Sequence, residues 1–174
     1  MLFGVMVKAI SDYLTRKSQE EINKMQLKEK QQEIQLEWDN ELRKLLGSYI
    51  SHCYELNRML KALNQGKSKL EDMKKSNSYE ERIELSEEAK KNIDAFTPEE
   101  VDKLLKELSE IQSQITMYLF KEEPYSNAIR IALKGMNDKL MSLDADNNAE
   151  LNVIIDAARN YFRNQWTIIN ELIG

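Results

Sequence analysis

Between Ile10 and Leu63 the chain runs for 54 residues with no proline and a single glycine, Gly47. The stretch is rich in Lys, Glu, Gln and Leu, all strong helix formers, so it predicts one long helix with Gly47 as its weak point. From Asp12 to Leu46 alone such a helix would be roughly 50 Å long, at about 1.5 Å per residue. A compact chain of 174 residues makes a sphere only about 40 Å across. The helix is therefore expected to overshoot a globule.

The two halves of this stretch differ. From Ile34 the apolar residues fall at Ile34, Trp38, Leu42, Leu45, Tyr49, Cys53, Leu56, Leu60 and Leu63. Steps of mostly four, four and three suit a nearly straight helix packed in a bundle, not a long left-handed coiled coil. Between Thr15 and Glu33 the apolar residues thin to Ile22, Met25 and Leu27, and such a segment buries little surface by itself. Two regions follow: an N-terminal tip and polar helical stalk over 1–33, and a helical bundle over 34–174.

The rest of the chain reads as further helices. Asn64 to Ser78, with Gly66 and a Ser/Asn/Lys cluster, predicts a loop. A short charged helix follows from Tyr79 to about Asn92. Thr97-Pro98-Glu99-Glu100 carries a capping box with proline at the first helical position. Behind it Val101, Leu104, Leu105, Leu108, Ile111, Ile115, Tyr118 and Leu119 form an apolar stripe, ending near Lys121 before Pro124. Ile129, Ala132, Leu133, Met136, Leu140 and Leu143 mark the next buried face. The last helix carries Leu151, Ile154, Ile155, Ala158, Phe162, Trp166, Ile169 and Leu172. The aromatic residues at helical spacing, Tyr54 and Tyr161 included, read as core packing. Only seven residues are Pro or Gly, which leaves no room for many short strands. The expected fold is all-α, an elongated four- to five-helix bundle with a long N-terminal helix.

Composition narrows the function. Thr15 to Lys44 holds seven basic and seven acidic residues, interleaved, and the whole chain carries a net charge of −5. That describes a solvated face and argues against nucleic-acid binding. The one cysteine, Cys53, excludes an internal disulfide and falls on the apolar seam, as a buried thiol does. At the N-terminus Leu2, Phe3, Met6, Ile10, Tyr13 and Leu14 share one helical face. This run is too short for a bilayer span, which takes about 20 residues, and it lacks the pattern of a secretory signal. Three readings follow: it lies on a membrane, aided by Lys8, Arg16 and Lys17, it packs on the chain's own core or a second copy, or it is the remnant of a longer span.

Chemistry-bearing patterns are sparse. His52 is the single histidine, and it points about 100° away from its neighbour Cys53 on a helix, so the two do not converge on a metal. Asp144 to Glu150 begins like a calcium loop, but Ala149 stands where glycine belongs and Ile155 where the closing glutamate belongs. Asn147 or Asn148 as a helix cap is the better account. Arg159-Asn160 lacks the following histidine that would complete a ribonuclease motif. Glu29, Glu33, Glu37 and Glu41 form a row at four-residue spacing, either solvated or awaiting a basic partner. No catalytic set, cofactor or metal site is expected.

Tyr13-Leu14-Thr15-Arg16-Lys17-Ser18 and Trp38-Asp39-Asn40-Glu41-Leu42-Arg43 resemble two elements of uncharacterised bacterial membrane-proximal proteins. In these a short N-terminal anchor leads through a charged helical stalk into a small helical bundle. Those proteins carry a full membrane span, which this sequence lacks; the resemblance implies a membrane-proximal location and no activity. The expectation is a non-enzymatic interaction or scaffold protein, cytoplasmic or on the inner face of the membrane, attached through its N-terminal end. The alternative is a soluble homodimeric helical adaptor or regulator, of bacterial or phage origin, that binds a partner protein.

Overall fold

The computed structural model describes residues 2–119, 122–142 and 146–173, with side chains over 13–119, 122–142 and 146–170. Among the described residues five helices and no strand occur: α1 (Leu2–Lys75), α2 (Tyr79–Ile93), α3 (Pro98–Tyr118), α4 (Pro124–Met141) and α5 (Asn148–Ile173). The chain forms two compact units, Met1–Glu41 and Leu42–Gly174. The all-α expectation is met.

Local chemistry accounts for the helix ends. At α3 the Glu100 amide donates to Thr97 Oγ1 at 3.2 Å while the Thr97 amide donates to Glu100 Oε2 at 2.7 Å. Both ends of the capping box are thus satisfied, with Pro98 where a missing N–H costs nothing. At α2 the Glu81 amide donates to Ser78 Oγ at 3.4 Å, Glu80 and Glu81 occupy the first turn, and Lys90 and Lys91 the last. Each charge sits at the helix end whose dipole favours it. Helix α3 stops at Tyr118, three residues before the expected end.

The core of the second unit has four walls. Leu42, Leu46, Tyr49, Cys53, Leu56 and Leu60 come from α1, and Leu104, Leu108 and Ile115 from α3. Ile129, Leu133, Met136 and Leu140 come from α4, and Leu151, Ile154, Ala158 and Tyr161 from α5. All sit at steps of three, four or seven residues, the period that aligns one helical face. Helix α2 lies outside this core and contributes one fully buried side chain, Ala89. The result is a four-helix core with a fifth helix laid on it.

Four expectations need correction. The segment Asn64–Ser78 is not a loop, since α1 continues through Gly66 to Lys75. Gly66 serves close packing instead of a turn: a Cβ there would lie 2.7 Å from Ile93 Cγ1 and 3.2 Å from the Ala89 carbonyl oxygen. Helix α2 can approach α1 this closely only because position 66 has no side chain. An ion pair between Lys69 and Glu88 supports the same contact. Nor does Gly47 interrupt α1. Ile34 and Trp38, which the period places on the seam, are exposed, because the hydrophobic cluster begins at Leu42. Trp166 and Tyr54 are exposed as well, while Tyr49 and Tyr161 are buried. Leu143 and Leu172 lie outside the residues whose side chains are described.

Polar ties complete the bundle. Glu123 Oε1 accepts from Ser126 Oγ at 3.1 Å and from the buried Gln165 Nε2 at 3.0 Å, which links the start of α4 to α5. Asn57 Nδ2 donates to Asn147 Oδ1, joining α1 to the residue that precedes α5. Asn147 is fully buried, and its carbonyl accepts the Leu151 amide at 3.1 Å, as a helix-capping residue does. The Asp144 of the incomplete calcium pattern lies outside the described residues.

Candidate interaction surfaces

In the first unit every side chain from Tyr13 to Gln31 is exposed. Tyr13, Leu14, Met25 and Leu27 each show about 60% of their surface or more, and Ile22, Ile34 and Leu36 more than 40%. Large apolar side chains scattered singly on a surface are ordinary. Seven of them along one helix of high polarity form a more extended display. The stretch holds its helix through local chemistry, as in the bond from Gln19 Nε2 to Asn23 Oδ1 across one turn. Leu2, Phe3, Met6 and Ile10 of the apolar tip have side chains outside the described residues; Tyr13 and Leu14 are exposed at its inner end. No helix among the described residues is long and apolar enough to cross a membrane.

In the acidic row Glu29, Glu33 and Glu37 are exposed, and Glu41 is half-buried. Among the described residues Glu29, Glu33 and Glu37 form no ion pair. Like charges one turn apart each cost a helix about 0.2–0.5 kcal/mol, so the row is a source of repulsion that a cationic surface would relieve.

Among the described residues the second unit has several concavities, and two of them flank basic residues of α1. The larger, about 860 Å³, is floored by Leu60, Leu63, Ile93, Phe96, Pro98 and Val101. Its rim mixes Lys67 with Asp94 and Asp102, so no one charge dominates. The smaller, about 400 Å³, lies along α1, lined by Tyr54, Asn57, Arg58, Lys61, Ala62 and Gln65, with Asn148 at the start of α5 on its other side. Its only charged side chains are cationic. Sequence reasoning did not single it out. The available signal was two basic residues three apart, beside a tyrosine, on the face of α1 opposite Leu56 and Leu60.

Residues with reactive potential are placed unfavourably for chemistry. Cys53 is fully buried, and burial pushes its thiol up to about 12, so it stays protonated and unreactive. Burial likewise raises the Tyr49 phenol, with Cys53 adding to the effect, and the Tyr49 hydroxyl has no partner beyond the weakly bonding Cys53 thiol. His52 faces away from that core: Nδ1 donates to the Ser48 carbonyl at 2.7 Å and Nε2 lies 3.5 Å from Glu107 Oε2. Arg159 pairs with Asp156 at 3.3 Å on the surface. Among the described residues no three His, Cys, Asp or Glu side chains stand together as metal ligands would. No protein-family model, curated protein or solved structure matches the chain.

Proposed function

We propose that this chain is a non-enzymatic helical interaction or scaffold protein whose N-terminal helix is its docking element. The tip from Met1 to Leu14 attaches the molecule to a surface, membrane or partner, and the polar helix to Glu33 links it in sequence to the bundle. The observation that carries the reading is the run of exposed apolar side chains from Tyr13 to Leu36, set in a helix of alternating charge. An apolar face flanked by Lys8, Arg16 and Lys17 suits the anionic inner face of a bacterial membrane.

Vesicle flotation tests this, with the full chain beside a variant lacking Met1–Leu14, on anionic and on neutral lipid. The full chain should float on anionic vesicles and the shortened one should stay below. A second reading, a homodimeric adaptor, is favoured by Glu29, Glu33 and Glu37, which are exposed and form no ion pair among the described residues. It predicts association in solution for both proteins. A chain that neither floats nor associates removes the docking role altogether.

A further inference from the structure

We propose that the groove beside Tyr54 receives the acidic segment Glu29–Leu36 of a second copy of this chain. The inference rests on the reading of the N-terminal helix as a docking element and names one of its partners. On the receiving side, Arg58 and Lys61 lie one turn apart on α1, both exposed. Neither forms an ion pair among the described residues. The Arg58 guanidinium rests over the Phe96 ring, 5.5 Å from its centroid, which restrains the side chain without neutralising it. Tyr54, 49% exposed, supplies an apolar surface at one end of the groove.

The occupant is the complement of this surface in charge and in the spacing of its residues. Glu29 and Glu33 are separated by about 6 Å along their helix, and Arg58 and Lys61 by about 4.5 Å along theirs, at about 1.5 Å per residue. Laid antiparallel, Glu33 meets Arg58, Glu29 meets Lys61, and Leu36 meets Tyr54, all in one register to within a residue. Leu36 is 41% exposed, so the apolar contact covers surface on both sides.

Each copy carries both the groove and the acidic segment, so a two-fold dimer satisfies both contacts and is the smallest closed assembly. A parallel arrangement would align the same charges but leave one groove and one segment unfilled at each end, and so would grow without limit. The antiparallel order is therefore the one proposed.

Sedimentation velocity of the full chain over a range of micromolar concentrations tests it. Wild type should be a dimer that weakens as salt is raised. R58E/K61E and E29K/E33K should each weaken association by tenfold or more, on the order expected when several exposed ion pairs become repulsive. Mixing the two variants restores opposite charges at both contacts, and a heterodimer should form. Circular dichroism of each variant should match wild type, since all four side chains are exposed. Deleting Met1–Leu14 should leave the dimer intact, because neither contact uses the tip. The proposal is overturned by a wild type that stays monomeric, by a dimer indifferent to either charge reversal, or by growth past two copies. A monomer that floats on vesicles overturns the dimer and leaves the docking reading standing; a monomer that does not float removes both.

Discussion

Replacing Gly66 by alanine isolates the contact that sets α2 against α1. In a helix interior the exchange should gain about 1 kcal/mol, because alanine restricts the unfolded chain and shields the backbone. Gly47 and Gly135 meet that condition cleanly, for a Cβ at either would have nothing within 4 Å. At Gly66 the new methyl would lie 2.7 Å from Ile93 Cγ1, roughly 1 Å inside the optimal carbon–carbon separation. Rotating Ile93 cannot also clear the Ala89 carbonyl oxygen at 3.2 Å, which is backbone. Helix α2 must shift as a body, and overpacking of this kind costs about 1–3 kcal/mol. The two effects sum to a loss of about 0–2 kcal/mol for Gly66→Ala, against a gain of about 1 for Gly47→Ala and Gly135→Ala. For a chain of this length 1 kcal/mol moves the melting temperature by about 2–4 °C. Thermal melts of the three variants, with urea titrations beside them, would order Gly66→Ala below wild type and the other two above it. If Gly66→Ala stabilises as much as Gly47→Ala, the close approach of α1 and α2 is wrong.

Two further outcomes concern the buried polar groups. The Tyr49 hydroxyl is buried with no partner beyond the weak Cys53 thiol, and a buried hydroxyl left unsatisfied costs about 1–3 kcal/mol. Tyr49→Phe should therefore leave stability unchanged or raise it, and a loss above about 1 kcal/mol in urea would show that the hydroxyl is bonded. The raised Cys53 thiol makes stability fall with alkali. Between the ordinary thiol range, about pH 8.5, and about 12, the unfolded chain releases a proton that the native one keeps. Stability then drops by up to about 1.4 kcal/mol per pH unit. Tyr49 acts in the same direction from about pH 10 upward. Cys53→Ala should flatten the decline of urea midpoints between pH 8 and 10, and parallel curves for the two proteins would refute the assignment.

The helices were legible where the signal is local. Thr97, Pro98 and Glu100 specify the start of α3 through bonds spanning three residues, and Pro124 specifies the start of α4. The buried faces of α3 and α4 follow from spacing alone, down to Leu108 and Met136. Signals that depend on a distant partner were misread. Gly66 has the composition of a turn, and its role became visible only once Ala89 and Ile93 lay against it. Trp166 keeps the period of α5, yet its neighbours Gln165 and Ile169 are the buried ones there, a shift of one residue that spacing cannot resolve. Among surface features, the acidic row was readable as a pattern of glutamates. The groove was not, because Tyr54, Arg58 and Lys61 look like ordinary outward residues until Asn57 turns inward beside them to reach Asn147.

The seam of α1 shows why pattern and environment come apart. Ile34, Trp38, Leu42, Leu45 and Tyr49 follow one period without a break. The first two are nevertheless exposed, while Leu42 and Tyr49 are fully buried. Periodicity states which face a side chain occupies; what covers that face is supplied by residues such as Ile115 and Ile154, far along the chain. Extending α1 past the end of its cover lengthens the apolar stripe without adding to the core. The added residues then stabilise the fold little, since the hydrophobic gain requires area removed from water. That uncovered stripe is the physical basis of the docking role proposed above for the N-terminal helix.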